Sequence, residues 1–157
     1  MTTEQEKIIL TYDTVHKMSL ELADKIYLHR PDVIIGLSRG GLLPAMIISH
    51  ELNVPLLPVV YSSNKGNSDS QEHHTKLQKY NSGLPYIEDK TICVVDDIVD
   101  TGNTMRDVTT HYMSIGCNNT VFSVSLILKG EYNNNAHIAA MRLPFVSPWI
   151  IFPFEKQ

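Results

Sequence analysis

Cysteine is almost missing from this chain: only Cys93 and Cys117 occur in 157 residues. Two cysteines make no disulfide framework, and no Cys/His group has the spacing of a zinc site. Cys93 falls in an apolar, strand-like run and reads as a buried thiol. The seven histidines are scattered. Only His73-His74 are adjacent, and they read as part of an exposed loop. Excess positive charge is missing too. Thirteen Lys and Arg stand against 17 Asp and Glu, a formal net charge of -4. Nucleic-acid binders carry a basic face, and none is visible here, so no nucleic-acid partner is expected. No apolar run approaches the roughly 18–20 residues of a membrane span, so no membrane integration is expected either. Met1 to Lys7 is polar and acidic, without a signal-peptide pattern, which predicts a cytoplasmic protein. Internal repeats and low-complexity tracts are also lacking.

What is present fits one domain over 1–157, long enough to bury a core without disulfides or structural metal. Ile8 to Tyr12 reads as a short strand. Asp13 is the expected N-cap of a helix on which Val15, Met18, Leu22 and Ile26 recur at helical spacing. Pro31-Asp32 ends that helix. Val33 to Leu37 is a continuous apolar run, as expected of a strand buried on both faces of a parallel sheet. Ser38-Arg39-Gly40-Gly41 follows as a tight turn, then a helix over Leu42 to Leu52 with Pro44 in its first turn. Pro55 to Tyr61 reads as a strand. From Ser62 to about Tyr86 the composition turns to Ser, Asn, Gly, His and Lys, and a connection this long is expected to form a flexible loop that closes over a site. Thr91 to Val95 is a second buried strand, followed by a helix over Thr104 to Ile115 and a strand over Thr120 to Leu128. Leu143 to Phe154 is rich in Pro and aromatics and shows no clear helix. Strands alternating with helices predict an α/β fold, a mostly parallel sheet flanked by helices.

The chemistry concentrates in Val94-Val95-Asp96-Asp97-Ile98-Val99-Asp100-Thr101-Gly102-Asn103-Thr104. A buried strand runs into two carboxylates, then into a turn of Asp, Thr, Gly and Asn at the start of a helix. Such a turn offers backbone N–H groups and hydroxyls where the helix dipole favours an anion. Local capping needs one such residue, whereas this segment has two adjacent acids and a hydroxyl–glycine turn. About 60 residues upstream, Gly36-Leu37-Ser38-Arg39-Gly40-Gly41-Leu42-Leu43-Pro44 repeats the plan of strand, glycine turn and helix.

The later segment resembles the signature of the type I phosphoribosyltransferases. That resemblance implies that Asp96 and Asp97 face the ribose hydroxyls and a magnesium ion. Asp100, Thr101, Gly102, Asn103 and Thr104 would cradle the 5'-phosphate of 5-phosphoribosyl-1-pyrophosphate (PRPP), with Asn103 standing where many members have Gly or Ala. The earlier segment is similar to the family's pyrophosphate loop, with Ser38, Arg39 and Gly40 as contacts and Arg39 as a charge-assisted donor. Spacing and length resemble most the small bacterial xanthine-guanine phosphoribosyltransferases. The likeness implies base contacts from Lys129, Trp149 and Ile150, hood elements over about 131–157, Asp100 as general base near the purine N7, and a homodimer or homotetramer. Lys only donates hydrogen bonds, so at the purine 6-position it favours an oxo group and disfavours adenine. The bland readings are core packing for Trp149 and a solvated strand end for Lys129. Two other functions stay open: a regulatory PRPP- or nucleotide-binding protein on the same fold, and transfer to a different base such as orotate.

Overall fold

A computed structural model describes residues 6–61, 83–115, 118–130, 132 and 134–156. Most of the loop expected over 62–86, His73, His74 and Cys117 lie outside the described residues. In chain order come β1 (Lys7–Ile9), α1 (Tyr12–Ile26), a 3-10 turn (Tyr27–His29), β2 (Val33–Leu37), α2 (Leu42–Leu52), β3 (Leu56–Val59) and β4 (Thr91–Val99). Then follow α3 (Asn103–Ser114), β5 (Thr120–Lys129), β6 (His137–Leu143) and β7 (Trp149–Ile151). No helix among the described residues is long and apolar enough to cross a membrane.

Five strands form one sheet in the order β3-β2-β4-β5-β6. Every pairing in it is parallel, with Ile35 opposite Val94, Val94 opposite Ser123 and Ser125 opposite Ala139. A parallel sheet needs cover on both faces, and this one has it. On one face Leu22 and Ile26 of α1 and Ala45 and Ile48 of α2 pack on Ile34, Cys93, Val95 and Val124. On the other, Met105, Val108 and Tyr112 of α3 pack on Ile35, Ile92, Val94 and Val121. Burial explains the unbroken apolar runs of β2 and β4, and it pushes the Cys93 thiol up from its ordinary pKa.

Two expectations are corrected. The cap of α1 is Thr11, not Asp13: Thr11 has extended backbone and its hydroxyl accepts the Thr14 N–H at 3.1 Å. Asp13 sits inside the first turn, where the helix dipole favours an acid, and pairs with Lys17 at 2.8 Å in solvent. β4 does not stop at Val95 but runs to Val99, so Asp96 and Asp97 are strand residues whose backbone continues the ladder, Asp96 opposite Ser125. Within 131–157, β6 joins the main sheet as an edge strand beside β5, and β7 belongs to a second, two-stranded sheet, pairing in parallel with β1. Ile150 and Phe152 anchor that small sheet in the core beside Leu10.

Candidate active site

Because β2, β4 and β5 run parallel, their carboxyl ends share one edge of the sheet, and the loops that leave them meet there. The first turn follows β2. Ser38 N–H donates to Val59 O at 2.8 Å, Gly41 N–H to Leu37 O at 2.9 Å and Leu42 N–H to Arg39 O at 3.1 Å. The Ser38–Arg39 peptide is cis. A Cβ on Gly40 would run into the Asp97 carboxylate, and one on Gly41 would meet Leu37 O at 2.7 Å and Asp96 Cα at 3.0 Å. Only glycines let this backbone lie directly on the acidic end of β4.

There Asp97 N–H donates to Asp96 Oδ1 at 2.9 Å, and Ile98 N–H to Asp97 Oδ1 at 2.7 Å. Burial, and then the Asp97 charge, push the Asp96 carboxyl well above its ordinary range; burial raises Asp97 as well. Glu155 is raised by its own burial and by Asp97, while the Phe152 N–H that it accepts at 3.3 Å opposes the shift. Among the described residues the ion pairs are Lys17–Asp13 and Lys25–Glu21, both on α1, so none of them joins a cation to this acidic end. Two adjacent carboxylates whose charges are disfavoured by burial, with Asp97 adding to the cost at Asp96, fit a bound cation.

The second turn follows β4. Gly102 takes the left-handed conformation at φ +81° and caps α3, with no side chain capping the helix there. Asn103 N–H donates to Thr101 Oγ1 at 3.3 Å. A helix start whose cap residue carries no side chain suits an anion.

Ser38, Arg39, Gly40, Asp96, Asp97 and Thr104 line one cleft of about 810 Å³. Asp100 and Thr101 line a neighbouring hollow of about 480 Å³ on the other side of the turn. Gly102 is buried and Asn103 half-buried between them. Neither space is lined by Lys129, Trp149 or Ile150. Lys129 ends β5, half-buried, one strand from the acidic pair. Trp149 opens β7 and is 60% exposed, which removes core packing as its role. Ile150 is buried with the core, and its side chain packs there.

Reading the sequence did not single out Tyr61, Arg106 or Tyr132. Tyr61 lines the cleft and its hydroxyl donates to Asp107 Oδ2 at 3.1 Å. Phe154, Glu155 and Lys156 also line it. The run Trp149 to Glu155 marked that tail, whereas nothing local marks Tyr132 or Arg106, which reach the site only through the packing of β5, β6 and α3.

A parallel sheet with two glycine turns and a carboxylate pair at its carboxyl edge defines an α/β protein built to hold a phosphate ester. The chain belongs to the phosphoribosyl transferase domain family, whose model matches residues 6–155. Its fold is the type I fold expected from the signature. It is 35% identical over 101 residues to a xanthine-guanine phosphoribosyltransferase of Idiomarina loihiensis, a match covering 64% of this chain and 61% of that protein, less than two thirds of its length. A protein of the same name from Roseobacter denitrificans is 28% identical over 155 residues, covering 93% of this chain and 84% of its own. Among solved structures, the purine phosphoribosyltransferase of Pyrococcus horikoshii aligns with a TM-score of 0.73 at 28% identity, over 96% of this chain and 95% of that one.

Proposed function

We propose that the chain transfers the phosphoribosyl group of PRPP to a 6-oxopurine (xanthine, guanine or hypoxanthine) and releases pyrophosphate, as a cytoplasmic enzyme of purine salvage. The observation that carries this reading is the contact of the Gly40 backbone with Asp97, which sets an anion-binding turn and a carboxylate pair side by side in one cleft. The names of the relatives support the choice of a purine.

Each residue then has a task. The backbone at Ser38, Arg39 and Gly40 receives the diphosphate, and the Arg39 guanidinium adds charge-assisted donors. Asp96 and Asp97 hold the ribose hydroxyls and a magnesium ion. No group of three or more His, Cys, Asp or Glu suited to a metal exists among the described residues, so the rest of the coordination falls to substrate oxygens and water, the usual habit of magnesium. When bound, magnesium offsets the negative charge that grows on the departing diphosphate. The turn from Asp100 to Thr104 fixes the 5'-phosphate, so the ribose is held at both ends while N9 attacks C1 from the face opposite the diphosphate. Asp100 takes the proton at the purine N7 side. Lys129 donates to the 6-oxo group.

Calorimetry with PRPP, with and without magnesium, tests the donor half; binding is expected to depend on magnesium, and no binding in either condition removes the reading. Pyrophosphate release against guanine, xanthine, hypoxanthine, adenine and orotate tests the acceptor half. Lys129→Ala should raise the apparent Michaelis constant for the 6-oxopurines about 10- to 150-fold, the worth of a charged hydrogen bond. Discrimination against adenine should shrink with it, because the opposed donors are gone. Unchanged selectivity in the mutant would remove the 6-oxopurine assignment and leave the family intact.

A further inference from the structure

We propose that Tyr132 is a positioning residue of the 5'-phosphate turn, and that Arg106, stacked on its ring, is a further ligand of that phosphate. The inference rests on the phosphoribosyl-transfer reading above.

Gly102, the left-handed residue of the turn, has no space for a side chain because the Tyr132 ring fills the place that a Cβ would take. Tyr132 is 7% exposed and held from several sides. Asn134 Nδ2 donates to its hydroxyl at 3.3 Å. The His137 ring meets it edge-on, with centroids 5.3 Å apart at 78°. His137 is itself clamped between the hydroxyls of Ser123 at 2.7 Å and Ser125 at 2.9 Å, one on each ring nitrogen. Burial, and then the Arg142 charge, lower its pKa to about 4, so it is a neutral, fixed strut between β5 and β6. The turn therefore leans on a ring whose supports are built into the sheet.

Arg106 occupies the open side of that ring, its guanidinium carbon 5.6 Å from the centroid. It stands one turn into α3, where the helix dipole disfavours a cation. Its Nη1 donates to Asn103 Oδ1 at 3.3 Å, and neither ion pair among the described residues includes it. It lines the hollow that holds Asp100 and Thr101. A cation placed against the dipole, held by a ring and an amide beside the glycine turn that starts α3, is matched by a dianionic phosphate ester. In this arrangement Tyr132 keeps the turn from closing toward β6 and aims Arg106 at its mouth.

The test uses the full chain and two probes read separately by calorimetry: ribose 5-phosphate for the turn, and pyrophosphate with magnesium for the Ser38–Gly41 side. Tyr132→Leu is expected to lower ribose 5-phosphate affinity by roughly 10-fold or more, Tyr132→Phe to stay near wild type because the ring is kept, and both to bind pyrophosphate normally. Arg106→Gln, on the exposed face of α3 and harmless to the core, is expected to weaken ribose 5-phosphate by about 3- to 10-fold and to flatten its salt dependence. Wild-type binding of ribose 5-phosphate by Tyr132→Leu or by Arg106→Gln overturns the proposal, and so does an equal loss of both probes, the mark of a merely structural role. Failure of the wild-type protein to bind PRPP with magnesium would instead bring down the functional reading beneath it.

Discussion

Asp100→Asn is expected to lower turnover with a 6-oxopurine by about 10²- to 10⁴-fold while PRPP affinity stays within a few-fold of wild type, the usual scale of a lost general base. Asp100 follows directly on β4, exposed, and lines the hollow with Thr101 rather than the cleft that holds Asp96 and Asp97. The substitution keeps the size and leaves the acidic pair and the Gly40 contact as they are. What it removes is the proton acceptor. Steady-state rates and single-turnover measurements on the variant, beside calorimetry with PRPP, separate chemistry from binding. Lost PRPP affinity with unchanged turnover would make Asp100 a turn residue and nothing more.

Asp97→Asn should have two opposite effects. PRPP affinity in magnesium is expected to fall about 10- to 150-fold, because a charged ligand of the cation and the ribose becomes neutral. Stability without ligand is expected to rise. Burial raises both carboxyls in the folded state, and the Asp97 charge raises Asp96 further, so the folded protein holds protons that the unfolded chain has already released. Wild-type stability therefore declines as pH climbs from the ordinary carboxylate range, near 4, through the raised values. The amide carries no such dependence and can still accept the Ile98 N–H that Asp97 accepts at 2.7 Å. At pH 7 the variant should melt higher, by about 2–4 °C for each kcal/mol of relieved repulsion, and the gap should close below about pH 4. Magnesium with PRPP should raise the melting temperature of wild type and not of the variant. A variant less stable than wild type at pH 7 would mean that the pair is not a source of repulsion.

Much of this was visible in the residues, and the rest was not for definite reasons. Val33 to Leu37 and Thr91 to Val95 announce themselves because a strand covered on both faces must be apolar throughout. Both glycine turns are visible because close backbone approach leaves no other residue type. β4 was cut short at Val95 since carboxylates interrupt the apolar run while the hydrogen-bond ladder continues beneath them. Thr11 and Asp13 are both good caps, and the choice depends on which backbone is extended, a property of the entering chain. β6 is a half-exposed edge strand and β7 has three residues, too few for a period. Tyr132 lies in an Asn-rich stretch that looks like a plain loop. Its meaning comes from standing behind Gly102, two strands of packing away from anything local. Trp149 shows the converse: a residue conspicuous by type, whose indole the fold leaves exposed.

The pairing of β1 with β7 spans nearly the whole chain for only three residues of ladder on each side. Closing so long a loop costs more entropy than closing a short one, and so short a ladder returns little for it. Ile150 and Phe152 supply the remaining hold by sitting in the core. The small sheet is thus the unit most easily detached, and its partial opening releases Trp149 and the tail through Lys156 without disturbing the five-stranded sheet or either glycine turn. The β1–β7 sheet can therefore open and re-form as a cooperative unit of its own while the five-stranded sheet stays folded.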